Sequence, residues 1–305
     1  MNDHLQETAT DAVRRACRFL EENQDGDGFW RDYELPPGAS SEWVTAFVGY
    51  ALAGTRLSRS EPTGRALSAM RSSCRPTGWG YNAAVATDAD TTSWAVRWFA
   101  RTNTPLPIEP VSCLEAYVGP EGGARTFACG PRYGSWTIEH ADVTGVLGMA
   151  LKEAGAAAST IERVRGWTLG RRNNDGLWSS FWWTFDAYAG ARMLELLDGT
   201  GGVPAEVAEA ARRGLETAAE PLTPMETANL LMMALRVGVR PDAWASSLLG
   251  RQRADGGWPP SRVLRVPDQK CPTGEGAAFE DGNSLMSTAM SVMALTELLG
   301  DGHAA

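Results

Sequence analysis

Two aspartates one residue apart, in the run Asp88-Ala89-Asp90-Thr91-Thr92, are the side chains here best suited to acid chemistry. The run opens an apolar stretch of helical character, where aspartate is a favoured N-cap, and one carboxyl suffices for that role. Two carboxyls this close oppose a second negative charge, so one keeps its proton near neutral pH while the other accepts a hydrogen bond. The helix N-terminus pulls the other way, towards carboxylate. One of the pair is thus a candidate acid and the other its partner, with Thr91 and Thr92 placed to hydrogen-bond them. A second pair, His140 and Asp142, stands at the same offset from Thr144 as Asp88 and Asp90 from Thr92. It either orients or reprotonates the first pair or simply caps a helix. The other histidines, His4 and His303, lie near the ends of the sequence.

Three cations, Arg262, Arg265 and Lys270, fall within nine residues of a long segment that also holds Asp268 and Cys271. Forked Arg donors suit a substrate diphosphate, and the competing reading is a solvated loop tip. Glu280 and Asp281 nearby could share Mg2+ if the substrate carried a diphosphate. The five cysteines (Cys17, Cys74, Cys113, Cys129 and Cys271) contain no Cys-x-x-Cys pair, so neither a disulfide framework nor a zinc knuckle is expected. A net charge of −9 excludes the broad basic face of a nucleic-acid partner. With no signal-peptide pattern and no apolar run of spanning length, the expected location is cytoplasmic, with at most peripheral membrane contact.

The elements that must position these residues repeat. Gln24-Asp25-Gly26-Asp27-Gly28-Phe29-Trp30 and Gln252-Arg253-Ala254-Asp255-Gly256-Gly257-Trp258 share the form Gln-x-x-x-Gly-x-Trp. Weaker copies end at Trp79, Trp136 and Trp178. After each comes an apolar segment, and six such segments, one of them (228–235) without a turn copy before it, share one frame: 45–52, 92–99, 144–151, 189–196, 228–235 and 288–295, the clearest reading Thr, a small residue, four residues, then Ala-Leu. Segments apolar nearly all round are buried on all sides. Amphipathic helices precede them, the first with Ala12, Val13, Ala16, Phe19 and Leu20 on one face, the others near 63–74, 109–118, 158–172, 203–218 and 241–252. Six inner and six outer helices predict an all-α (α/α)6 barrel of six helical hairpins, a single domain over 1–305 with a long insertion at 259–283.

Gln-x-x-x-Gly-x-Trp turns between helices resemble the repeats of the squalene-hopene cyclase superfamily, and Asp88-Ala89-Asp90-Thr91-Thr92 resembles the Asp-x-Asp-Thr-Thr variant of the class II terpene cyclase motif. The resemblance implies a cyclase in which Asp90, the middle aspartate, protonates a terminal alkene. The substrate would be a linear isoprenoid, a farnesyl or geranylgeranyl diphosphate or a prenylated compound, and protonation itself would need no cofactor. A carbocation cascade is best held by π-faces, for which Trp43, Phe47, Trp94, Trp98, Trp182, Trp183, Phe185 and Tyr188 are candidates. Family members of this type usually carry two barrels with the site between them. This sequence has length for one, so a homodimer, a partner protein or the 259–283 insertion must close the cavity. Competing readings are a non-catalytic isoprenoid-binding or scaffold protein and a protein-prenyltransferase-like subunit, the latter disfavoured because no cysteine stands at an inner-helix start to bind zinc.

Overall fold

The computed structural model describes residues 3–128, 131–271 and 273–300; Cys129 and His303 lie outside them. Among these residues twelve α-helices alternate outer and inner along the chain, in consecutive pairs: α1 (Asp3–Glu22) and α2 (Glu42–Ala53), α3 (Glu61–Ser73) and α4 (Ala89–Arg101), α5 (Pro110–Glu115) and α6 (Ala141–Glu153), α7 (Ala158–Gly170) and α8 (Ala187–Gly199), α9 (Ala205–Thr217) and α10 (Pro224–Val237), and α11 (Asp242–Gly250) and α12 (Leu285–Leu299). The second helix of each pair is buried nearly all round, α2 from Glu42 to Leu52 without a break. These six pack each on the next, and α12 packs back on α2, which closes an inner ring. The first helices bury one stripe against it, as α1 does with Val13, Ala16 and Leu20. The fold is the all-α (α/α)6 barrel that the repeats predict.

The repeat is a hydrogen-bond device. Thr45 Oγ1 of α2 accepts from Trp30 N at 2.9 Å, Thr92 of α4 from Trp79 N at 3.1 Å, Thr144 of α6 from Ala124 N at 2.8 Å and Thr288 of α12 from Trp258 N at 3.1 Å. Each turn is thereby tied to the inner helix that follows it. The indoles of Trp30, Trp79, Trp178 and Trp258 are buried and donate back to a carbonyl of the preceding outer helix, at 2.7–2.8 Å. Gln24 and Gln252 reach sideways instead, donating to Pro62 O and Ala12 O of the neighbouring outer helix. The third turn is Gly122-Gly123-Ala124, not the copy ending at Trp136: Ala124 takes the tryptophan's place, and Trp167 of α7 packs against Gly123.

Glycine is required where φ is positive and the backbone runs close. At Gly256 φ is +93°, and a Cβ would come within 2.5 Å of Arg15 O. Gly256→Ala is expected to cost about 3 kcal/mol, combining left-handed strain with a backbone clash. Urea unfolding of the two proteins would read it as a lower midpoint at unchanged slope.

Two short hairpins lie at the N-terminal end of the ring. β1 (Asp32–Leu35) pairs antiparallel with β2 (Gly38–Ser40). β3 (Arg262–Pro267) pairs antiparallel with β4 (Gly276–Glu280), Leu264 opposite Phe279 and Val266 opposite Ala277. The opposite end is held by ions: the buried Arg97 guanidinium reaches Glu195 at 2.5 Å, and Arg192 reaches the same carboxylate at 2.7 Å. Burial alone would raise the Glu195 pKa, but Arg97 and Arg192 hold it well below the usual carboxylate range.

Candidate active site

The two aspartates of the motif divide the work between them. Asp88 is the N-cap of α4: Oδ1 accepts from Thr91 N at 2.7 Å and Oδ2 from Thr91 Oγ1 at 2.9 Å. Thr91 thus serves Asp88, whereas Thr92 belongs to the repeat turn. Asp90, one turn-position further in, caps nothing. Its Oδ2 accepts from Trp43 Nε1 of α2 at 2.7 Å, and among the described residues the carboxyl makes no other hydrogen bond. Burial pushes Asp90 well above the carboxylate range, the neighbouring Asp88 charge pushes it further, and only then does the Trp43 hydrogen bond oppose. Asp88 is itself raised to about 7 by burial against its two Thr91 bonds. Asp88→Asn keeps a cap oxygen but removes the charge, so Asp90 is expected to titrate lower, followed by carboxyl 13C shifts. An unmoved titration would show that burial alone sets it.

Asp90 faces a cavity of about 400 Å³ at the N-terminal end of the inner ring. Of the aromatic candidates Trp43, Trp182, Trp183 and Tyr188 line it. Phe47, Trp94, Trp98 and Phe185 do not: Phe47 and Trp94 pack edge-to-face at 4.7 Å below it, Trp98 fills the space over Gly49 between α2 and α4, and Phe185 packs behind Trp183. The remaining wall comes from connecting segments: Leu35 to Pro37 around β1, Tyr81, Phe127, Trp136, and Leu264 and Val266 of β3. These residues stand outside the apolar frame, where no periodicity marks them, and Trp136, which the sequence places in a weaker turn copy, is their one visible signal.

Strand β3 is stapled across the cavity mouth. Arg265 N donates to Trp182 O at 2.7 Å, Thr184 N to Val263 O at 3.0 Å, and Trp136 Nε1 to Pro267 O at 2.9 Å. This accounts for the cations. Arg265 spends its guanidinium on the carbonyls of Phe181 and Ser180, exposed Arg262 donates to Ala278 O, and Lys270 lies at the exposed end of the hairpin. The three are not gathered at the cavity, and among the described residues no Lys or Arg lines it. The Glu280–Asp281 pair does not fit a magnesium ion either, because both oxygens of Asp281 already accept N–H donors, from Ser261 and Ser287. Among the described residues no group of three or more His, Cys, Asp or Glu side chains could hold a metal.

At the start of α6 the second pair also separates. Asp142 lines the cavity, with Oδ2 accepting from Phe181 N at 2.9 Å and Trp182 N at 2.7 Å. His140 does not line it. Its ring is stacked on Phe181 at 3.6 Å between centroids, and Nε2 lies 2.9 Å from Ser135 O, so Nε2 carries the proton that this carbonyl accepts. Burial lowers its pKa to about 4, and it stays neutral at working pH. The expected part of His140 in reprotonating or orienting Asp90 therefore has no contact to carry it. A neutral buried histidine loses stability as pH falls, because the unfolded chain binds the proton from about 6.5 while the folded one resists until about 4. His140→Phe, which keeps the stack, is expected to remove that acid-side loss between pH 6.5 and 4, read as a flatter Tm-against-pH curve.

No protein-family model matches the sequence, and no curated protein matches it. Solved structures do match in fold. A variant of the type II terpene cyclase MstE from Scytonema, in complex with its substrate geranylgeranyl dihydroxybenzoate, superposes with a TM-score of 0.85 at 23% identity over 99% of this chain and 100% of that one. Another MstE variant, with its product merosterolic acid A, gives 0.82 at 24% identity over 99% and 100%. The ent-copalyl diphosphate synthase from Streptomyces platensis gives 0.63 at 18% identity, over 84% of this chain and 50% of that one. Among the described residues no helix is long and apolar enough to cross a membrane.

Proposed function

We propose that this chain is a protonation-initiated, class II terpene cyclase, with Asp90 as the proton donor and residues 1–305 as one barrel domain. The observation that carries the reading is the Asp90 carboxyl, held by Trp43 beside Asp88 and facing an aromatic, apolar cavity, where burial and the Asp88 charge favour its protonated form. An alkene is a poor base, so its protonation needs an acid denied the solvation that stabilises its anion. Trp43 fixes the carboxyl, and the π-faces of Trp43, Trp182, Trp183 and Tyr188 stabilise the cation without attacking it. Hairpin β3–β4, rather than a second copy or another protein, closes the cavity.

The substrate we infer is a linear isoprenoid joined to an aromatic head group rather than a diphosphate. The cationic side chains a diphosphate would need are committed to carbonyls or lie away from the cavity. MstE, of the same single-barrel length, binds geranylgeranyl dihydroxybenzoate, which supports this choice. No metal enters the reaction on this reading.

Incubation with geranylgeranyl dihydroxybenzoate, farnesyl and geranylgeranyl diphosphates and squalene, analysed by mass spectrometry, tests it. Cyclised product from the prenylated aromatic, lost in Asp90→Asn, is expected. Product only from a diphosphate would overturn the substrate class. Binding of every isoprenoid without turnover would make the protein a carrier.

A further inference from the structure

Asp142 carries an unexplained atom. Its Oδ2 takes two backbone N–H donors, from Phe181 and Trp182, while its Oδ1 is buried and has no hydrogen-bond partner among the described residues. A buried carboxyl oxygen left without a donor is a standing cost, and an asparagine would satisfy the two backbone donors without a charge. Asp142 is 1% exposed, yet it lines the same cavity as Asp90, from the next helix of the ring. The two aspartates are in different states. Burial raises Asp142 only to about 6, opposed by its two N–H donors and by the Arg265 charge, so it is ionised at neutral pH. Asp90 is raised well above the ordinary carboxylate range, first by burial and then by the Asp88 charge, which favours its protonated form. Two carboxyls in one cavity whose surroundings drive them apart are an acid and a base.

We propose that Asp142 is the base that ends the reaction, receiving on its unpartnered Oδ1 the proton lost by the last carbocation; this rests on the cyclase reading above. The steps balance. Asp90 gives its proton to the terminal alkene carbon, the π-pair forms the new C–H bond, and the cation passes through the ring closures. A C–H bond beside the final cation then breaks, its electron pair closing a new C=C bond as the proton goes to Asp142. The substrate is isomerised, and the enzyme has moved one proton from Asp90 to Asp142. Water admitted on product release takes that proton back to Asp90. The two backbone donors fix the carboxylate's angle, so one hydrogen of the cation is selected and the product is an alkene rather than an alcohol.

The test is Asp142→Asn on the full chain with geranylgeranyl dihydroxybenzoate. Substrate affinity, followed by tryptophan fluorescence, is expected to stay within about twofold, because the amide oxygen still accepts from Phe181 and Trp182. Turnover is expected to fall about 10- to 100-fold. The single alkene should give way to hydroxylated products and double-bond isomers, since water and weaker acceptors now quench the cation. Should Asp142→Asn fold poorly, Asp142→Glu shifts the carboxylate by one methylene and is expected to move the double bond. The same alkene at the same rate from Asp142→Asn, or the same sole alkene from Asp142→Glu, overturns the assignment of the base while leaving the cyclase reading standing. Absence of any cyclised product from the unmodified protein overturns both.

Discussion

Asp90→Asn is expected to lower turnover by on the order of 10^4-fold while leaving substrate affinity nearly unchanged. The amide matches the carboxyl in shape, and its oxygen can still accept from Trp43 Nε1, so cavity and lid keep their form. What disappears is the proton. The substitution also removes a group whose ionised form is penalised by burial and by Asp88, so the variant should melt no lower than its parent at pH 7. Loss of activity without loss of stability separates a chemical role from a structural one, and a Tm drop of several degrees would count against it. The same electrostatics sets a sign for pH. A proton donor works only while protonated, so on the proposed role activity in the parent falls as pH rises through the Asp90 titration, which burial and the Asp88 charge place above the ordinary carboxylate range.

Trp136→Ala is expected to convert a large part of the cyclised product into hydroxylated, partly cyclised material. Trp136 lines the cavity, donates to Pro267 O, and lies 5.2 Å from Trp182 and 6.0 Å from Phe127, ring centre to ring centre. Its loss opens a hole of indole size where β3 crosses the mouth and frees one of the staples that hold the strand down. Water entering there reaches the cation before the last ring closes. A reduction of kcat/KM of about 10- to 100-fold should accompany the change, with Asp90 untouched. An unaltered product profile would mean that the mouth is sealed elsewhere.

The barrel was legible because its periodicity is written twice, in the apolar frame and in the glycine–tryptophan turns. Thr45, Thr92, Thr144 and Thr288 make that frame physical, since each binds the turn before it. Legibility failed where a residue type fits two environments. Arg262, Arg265 and Lys270 look like an anion site in a sequence, but whether a guanidinium meets a ligand or a backbone carbonyl depends on chain crossings that leave no periodic trace. His140 and Asp142 share an offset with Asp88 and Asp90, yet a stack on Phe181 turns the histidine away and leaves only the aspartate at the cavity. Phe47 and Trp94 lie on the inner ring, as Tyr188 does, but below the cavity floor. Depth along a helix axis cannot be read from a 3.6-residue period.

The origin of the cavity wall has a consequence for how such a protein can change. Leu35, Pro36, Pro37, Phe127, Trp136, Leu264 and Val266 all belong to connecting segments, while the turns and indoles that hold the ring together lie elsewhere. Connecting segments tolerate substitution, insertion and deletion far better than the elements they join. The contour of the cavity can therefore be rewritten residue by residue with the barrel's stability left intact. On the proposed cyclase reading, descendants of this chain could diverge in product while remaining the same machine, with Asp90 as their fixed point.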